Sequence, residues 1–211
     1  GMPTSWKGHY YGRTGESLGS LSIQEIESIR KQISGIDWSA QICKGATLQD
    51  LDKEALQVAQ AKFLNKHLGT RFSKEIENWE VTTFLDKVKL TRSGEITTTA
   101  ILLLGKPESA HHLTPYPAQI TWKLEGEEEA YAHFGPPFLL SIEEIFRHIR
   151  NIKFRFQPLN QLIPIELSKY DPKIVLEALN NCIAHQDYSQ NARIIITERV
   201  DRLILQNIGT F

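Results

Sequence analysis

Residues 171–209 read DPKIVLEALNNCIAHQDYSQNARIIITERVDRLILQNIG, and within them Glu177 and Asn181 stand four residues apart. On an α-helix that spacing is one turn, so a carboxylate and an amide oxygen share a face and can meet one ligand. Asp171 as cap and Pro172 in the first turn start such a helix, which the pattern predicts to run to about Tyr188. At about 100° per residue, Val175, Leu176, Leu179, Cys182 and Ile183 gather on a core arc, and Glu177, Asn181 and His185 form a stripe roughly 200° away. Ile174 and Ala178 lie on the side of that stripe, so the face is less uniformly polar than a solvated surface. Two predicted strands follow, 193–198 and 203–207, and lead to Asn207-Ile208-Gly209. The run Ile194-Ile195-Ile196 predicts a strand partly covered on both faces.

The pattern E-A-L-x-N-x-I-x-H-x-D-Y, two strands and then Asn-x-Gly resembles the C-terminal ATPase-like module of the RecG-related family of ATP-dependent DNA helicases and transcriptional regulators. That module is similar to the Bergerat (GHKL) ATP-binding fold. The resemblance implies that Glu177 polarises the attacking water as general base and that Asn181 ligates the Mg²⁺ of a bound ATP. It also implies cofactor contacts from His185, Asp187, Asn207 and Gly209. Magnesium keeps several waters and takes oxygen ligands, so one amide oxygen from the protein suffices chemically. Two departures weaken the nucleotide site: His185-Gln186-Asp187-Tyr188 stands where the family commonly has His-Arg-Asp-Tyr, and Asn207-Ile208-Gly209-Thr210 where it has Asn-Pro-Gly-Gly. ATP-binding Bergerat folds have Asp-x-Gly-x-Gly there, and a neutral Asn lacks the charged acceptor of a carboxylate. The sequence ends at Phe211 before any Gly-rich lid, so half a nucleotide site is expected, with ATP and Mg²⁺ a matter for a longer protein.

The elements upstream must position this segment. PTSWKGHYYGRTGES, with a predicted strand over 10–15 and a helix over about 22–34, resembles the last strand and helix of a Schlafen AlbA-type DNA-binding domain. Lys7, Tyr11 and Arg13 are its candidate nucleic-acid residues. Read as a terminal strand without its sheet partners, this segment is also expected to pair with another copy of the chain. Next come a helix beginning near Leu48, a second over about 73–87, and a tight turn at 92–95 leading into a buried element over 96–104. That order is reminiscent of a winged helix, yet Glu75, Glu77 and Glu80 stand where a recognition helix would meet phosphates and would repel them. Strands over 117–124 and 130–134, then a helix over 139–152, complete the expected set. The expectation is an α+β chain: an AlbA-type portion over 1–34, a helical middle region over 35–112, and over 113–211 a two-layer α/β sandwich resembling a partial Bergerat fold. Its helices should cover one face of a small antiparallel sheet. Arg147, Arg150, Lys153 and Arg155 form the densest basic run and read as a solvated helical stripe. His111-His112 read as loop residues, since no Cys or carboxylate follows at ligand spacing.

At 211 residues and 41% hydrophobic content, the chain can build one sizeable core or two small ones. Its net charge of −1 gives no whole-chain attraction to nucleic acid, so DNA contact must come from a local patch and be weak. Two cysteines without ligand spacing suit a reducing, cytoplasmic setting, and no apolar run reaches membrane-spanning length. Gly1-Met2 reads as a remnant before a start residue, consistent with an internal piece of a longer protein. Three functions remain open: a DNA-associated regulator with an incomplete ATP-binding module, an ATPase using Glu177 and Asn181, or an interaction scaffold without a ligand.

Overall fold

The computed structural model describes residues 5–14, 17–33, 38–157, 159 and 163–209, and its chain divides into two compact units, 1–41 and 42–211. The fold is mixed α+β.

In the first unit, β1 (Ser5–Trp6), β2 (His9–Thr14) and β3 (Ser17–Ser20) form an antiparallel sheet in the order β1-β2-β3, followed by α1 (Ile23–Ile33). Lys7 and Gly8, both at positive φ, make the tight turn between the first two strands. Gly12 lets Leu21 lie against the sheet, because a Cβ there would collide with the leucine side chain. Ser22 and Glu25 cap α1 reciprocally: Ser22 N–H donates to Glu25 Oε2 at 2.7 Å and Glu25 N–H to Ser22 Oγ at 3.3 Å. Contrary to the expected bare edge, β2 is the central strand, paired on both sides, so the argument for self-pairing through it falls away.

The second unit begins with a helical layer: α2 (Lys53–Lys66), α3 (Ser73–Glu77), α4 (Val81–Lys87), the hairpin β4 (Thr91–Arg92) and β5 (Glu95–Ile96), and α5 (Thr98–Leu104). Asp52 caps α2 by accepting Ala55 N–H at 2.9 Å. The single helix expected over 73–87 is two. Asn78 turns its side-chain amide back to the Lys74 carbonyl at 2.7 Å, competing with the helical ladder, and Trp79 packs 6.0 Å from Phe63. Phe63 also meets Phe84 edge-on at 5.8 Å, with Ile76, Leu85, Ile101 and Leu104 buried in the same unit.

The sheet that follows contains β6 (Ile120–Leu124) and β7 (Ala130–Phe134), then α6 (Phe138–His148), a separate hairpin of β8 (Lys153–Phe156) and β9 (Ile165–Ser168), α7 (Pro172–His185), β10 (Ile194–Glu198) and β11 (Leu203–Gln206). Its order is β11-β10-β6-β7. The expected all-antiparallel arrangement is corrected: the two hairpins join through a parallel β6–β10 pair. A parallel pair needs a long crossover, and α6, β8–β9 and α7 supply it. Register puts Ile120, Trp122, Phe134, Ile194 and Ile196 on one face, all buried, with His148 of α6 packing on Trp122 and Phe134.

The basic run is not a helical stripe. Arg147 lies in the last turn of α6, Arg150 lies beyond it, and Lys153 and Arg155 alternate along β8, where both approach Glu166 at 3.8 and 3.5 Å. Among the described residues no helix is long and apolar enough to cross a membrane.

Candidate functional site

Asp171 caps α7 as its sequence implies, accepting Lys173 N–H at 2.7 Å, and Val175, Leu179, Cys182 and Ile183 are the buried side. Glu177, Asn181 and His185 are all exposed. With a rise of about 1.5 Å per residue, Glu177 sits roughly 12 Å and Asn181 roughly 6 Å along the axis from His185. α7 ends at His185, three residues earlier than expected.

The helix end and the segment after β11 are stitched together. Ile208 N–H donates to Gln186 Oε1 at 3.0 Å, and Asp187 N–H donates to the Ile208 carbonyl at 2.6 Å. Gly209 passes so close to the His185 carbonyl that a Cβ would collide with it. The end of α7 and the Asn207-Ile208-Gly209 segment are therefore neighbours. Gln186 is buried and uses its amide to hold this junction. Asp187 is engaged in its own turn, accepting Ser189 N–H at 3.0 Å, Ser189 Oγ–H at 2.6 Å and Gln190 Nε2 at 2.7 Å. Nearby, Tyr188 donates its hydroxyl to the Ile183 carbonyl at 2.9 Å, and burial pushes its phenol well above the ordinary tyrosine range, with Cys182 adding to the rise.

Sequence reasoning missed two features of this unit. One is Glu198, 1% exposed at the end of β10, whose carboxylate accepts the Trp122 indole N–H at 3.2 Å, the Arg150 backbone N–H at 3.2 Å and Arg150 Nε at 3.3 Å. Nothing local in the sequence marks this carboxylate, because its partners lie 48 and 76 residues away. The other is a cavity of about 950 Å³ on the sheet face turned away from Trp122 and Ile196, lined by Thr121, Lys123, Tyr131, His133, Arg193 and Gln206 among others. Asn207 reaches its rim, whereas Glu177, Asn181 and His185 are not among its lining residues. The alternation in ITWKL and AYAHF was the available signal for it.

In the first unit, Trp6 is 64% exposed, Lys7 Nζ lies 4.6 Å from its ring centroid, and Tyr11 meets it edge-on at 6.5 Å. Arg13 occupies the register position opposite Leu18 on the adjoining strand. Of the two histidines read as loop residues, His112 lies on a short 3₁₀ turn, Pro107–His112, with its Nε2 3.6 Å from Asp50 Oδ1. Asp50 is held below the usual carboxylate range first by the Thr47 backbone N–H. Among the described residues no group of three or more His, Cys, Asp or Glu side chains could hold a metal ion.

A family model described as a domain of unknown function, DUF8451, matches residues 18–119. No curated protein matches the chain. Among solved structures, the chain is similar to the crystal structure of the DIP2311 protein from Corynebacterium diphtheriae, with a TM-score of 0.61 and 18% identity over 97% of this chain and 39% of that one. At that identity the likeness is one of fold, and the chain spans about two fifths of that protein's length.

Proposed function

We propose that this chain is part of a DNA-associated regulator resembling the RecG-related family, in which residues 113–211 form an ATP-binding-type module that does not turn nucleotide over. The observation that carries the reading is the cluster of exposed Trp6 and Lys7 with half-buried Tyr11, which offers a cation and aromatic rings on one small sheet. Cations there attract phosphates and release counterions, while the aromatic rings can lie against sugars or bases. With a whole-chain charge of −1, the attraction is local and the affinity modest. The reading of the second unit is supported by the exposed Glu177 and Asn181 on one face of α7, whose C-terminal end is tied to Ile208 through Gln186, and by the neutral side chains at Gln186 and Asn207.

Anisotropy titration with a labelled duplex tests the proposal. The expected dissociation constant is above about 10 μM at physiological salt and tightens as salt falls. Lys7→Ala and Arg13→Ala should each reduce the salt slope by about one unit. Affinity that is independent of salt, or unchanged in both variants, refutes it.

A second reading, an interaction scaffold, is favoured by the β8–β9 hairpin. Phe154, Phe156, Ile165 and Leu167 share one of its faces and are 41–56% exposed, whereas Lys153, Arg155 and Glu166 take the other. Self-association through that face, measured by light scattering and abolished by Phe154→Ser with Leu167→Ser, would favour this reading.

A further inference from the structure

The sheet of the second unit carries a second surface suited to a ligand, independent of the Trp6 cluster. Register fixes its membership: Thr121 lies opposite both His133 and Ile195, Lys123 opposite Tyr131, and Gln206 opposite Ile195. These side chains share the face that α6 leaves uncovered and surround the cavity of about 950 Å³. Thr121 is its floor at 2% exposure, and its hydroxyl fixes His133 through Nδ1 at 3.0 Å. Tyr131 and His133, alternate residues of one strand, present rings whose centroids are 5.4 Å apart and whose planes are inclined by 48°.

Charge is arranged around those rings. Among the described residues Lys123 and Arg193 enter no ion pair, so both are available to an anion. Two carboxylates also reach the rim, Glu125 and Glu129. Glu125 is already neutralised by Arg199 at 2.8 Å, and Glu129 marks the end of the surface that repels phosphate. Tyr131 stands 75% exposed, so a small molecule on it would stay largely in water, whereas small-molecule sites bury about 70–90% of their ligand. A polymer that crosses the face has no such requirement.

We propose that this sheet face binds single-stranded nucleic acid, with two successive bases stacked on Tyr131 and His133, phosphates met by Arg193 and Lys123, and Gln206 reaching a base edge. Every base has a stacking face, so recognition of this kind is tolerant of sequence. Extended aromatics on an open sheet are a general solution for unpaired bases, whose faces a duplex hides. The surface therefore discriminates strandedness, and it does so without the first unit's cluster.

The test is anisotropy titration of the whole chain with a labelled deoxythymidine ten-mer at low salt. Saturable binding is expected, weakened roughly tenfold by Tyr131→Ala and retained by Tyr131→Phe, in line with the stacking contribution of one base. Arg193→Ala should weaken it and reduce the salt slope by about 0.7. A chain carrying Trp6→Ala and Lys7→Ala should bind the ten-mer as the wild type does, which separates this proposal from the duplex reading. Should Tyr131→Ala lower the melting temperature, Tyr131→Leu keeps the bulk, removes the stacking and carries the same expectation. The proposal is overturned by absence of saturable binding, by wild-type affinity in the Tyr131→Ala and Tyr131→Leu chains, by thymidine monophosphate binding as tightly as the ten-mer, or by loss of binding in the Trp6/Lys7 chain.

Discussion

Glu198 offers a stability experiment whose outcome follows from its surroundings. Its carboxylate is 1% exposed, while the Arg150 side chain that meets it is 49% exposed. Glu198→Ala leaves the Trp122 indole N–H and the Arg150 backbone N–H without an acceptor, and at about 1–3 kcal/mol for each unsatisfied buried donor the expected loss is about 3 kcal/mol. The freed guanidinium returns to water at little cost. Arg150→Ala strands a buried carboxylate, which alone would cost about 3–5 kcal/mol, but two N–H donors still hold it and the lost partner was half-solvated. The expected loss is about 1–2 kcal/mol. Glu198→Gln keeps an acceptor oxygen yet turns an NH₂ toward donors, and falls between the two. Urea denaturation followed by far-UV ellipticity, analysed for the 42–211 transition, measures all three. A Glu198→Ala loss below about 0.5 kcal/mol, within the range of ordinary surface substitutions, would refute the reasoning. So would a larger loss for Arg150→Ala than for Glu198→Ala, because the charge rather than the hydrogen bonds would then dominate.

Calorimetric titration with Mg-ATP should give no dissociation constant in the low micromolar range, on the order of −8 kcal/mol; such affinity, with turnover abolished by Glu177→Ala, would restore the ATPase reading. Asn181→Ala, on the exposed stripe, should change stability by less than about 1 kcal/mol, whereas Leu179→Ala, 1% exposed on the buried side, should cost about 2–5 kcal/mol; denaturant melts with the reverse order would make Asn181 structural. Tyr188 binds its proton more tightly in the folded than in the unfolded chain, so its contribution is intact below the unfolded value near pH 10 and declines above it, at up to about 1.4 kcal/mol per pH unit. Tyr188→Phe should remove that part of the alkaline decline, and melts at pH 9 and 11 that show the same decline in both chains would contradict the assignment.

Local signals were the legible part of this fold. Asp171-Pro172 started α7, the alternation of ITWKL marked β6, the acidic turn at 125–129 marked the start of β7, and the core arc of Val175, Leu179, Cys182 and Ile183 proved to be the buried side. What depends on distant partners was not legible. KFRF and IELS are too short and too charged to announce a hairpin, and only their pairing across a long connection sorts Phe154, Phe156, Ile165 and Leu167 onto one face. The parallel β6–β10 pair depends on a crossover of two helices, and adjacent hairpins in sequence suggested an antiparallel sheet instead. Asn78 broke the middle helix through its own side chain, a competition that apolar spacing does not register. In the segment from His185 to Gly209, residue spacing did not show that Gln186 would be spent on holding Ile208 or Asp187 on its own turn.

The claim that the first unit meets DNA is tested most directly by amide chemical-shift mapping of the ¹⁵N-labelled chain titrated with a duplex at low salt. The account predicts that the largest shifts fall on Trp6, Lys7, Tyr11 and Arg13, and that they shrink as salt is added. Shifts that spare this strand, or that persist unchanged at high salt, would contradict it.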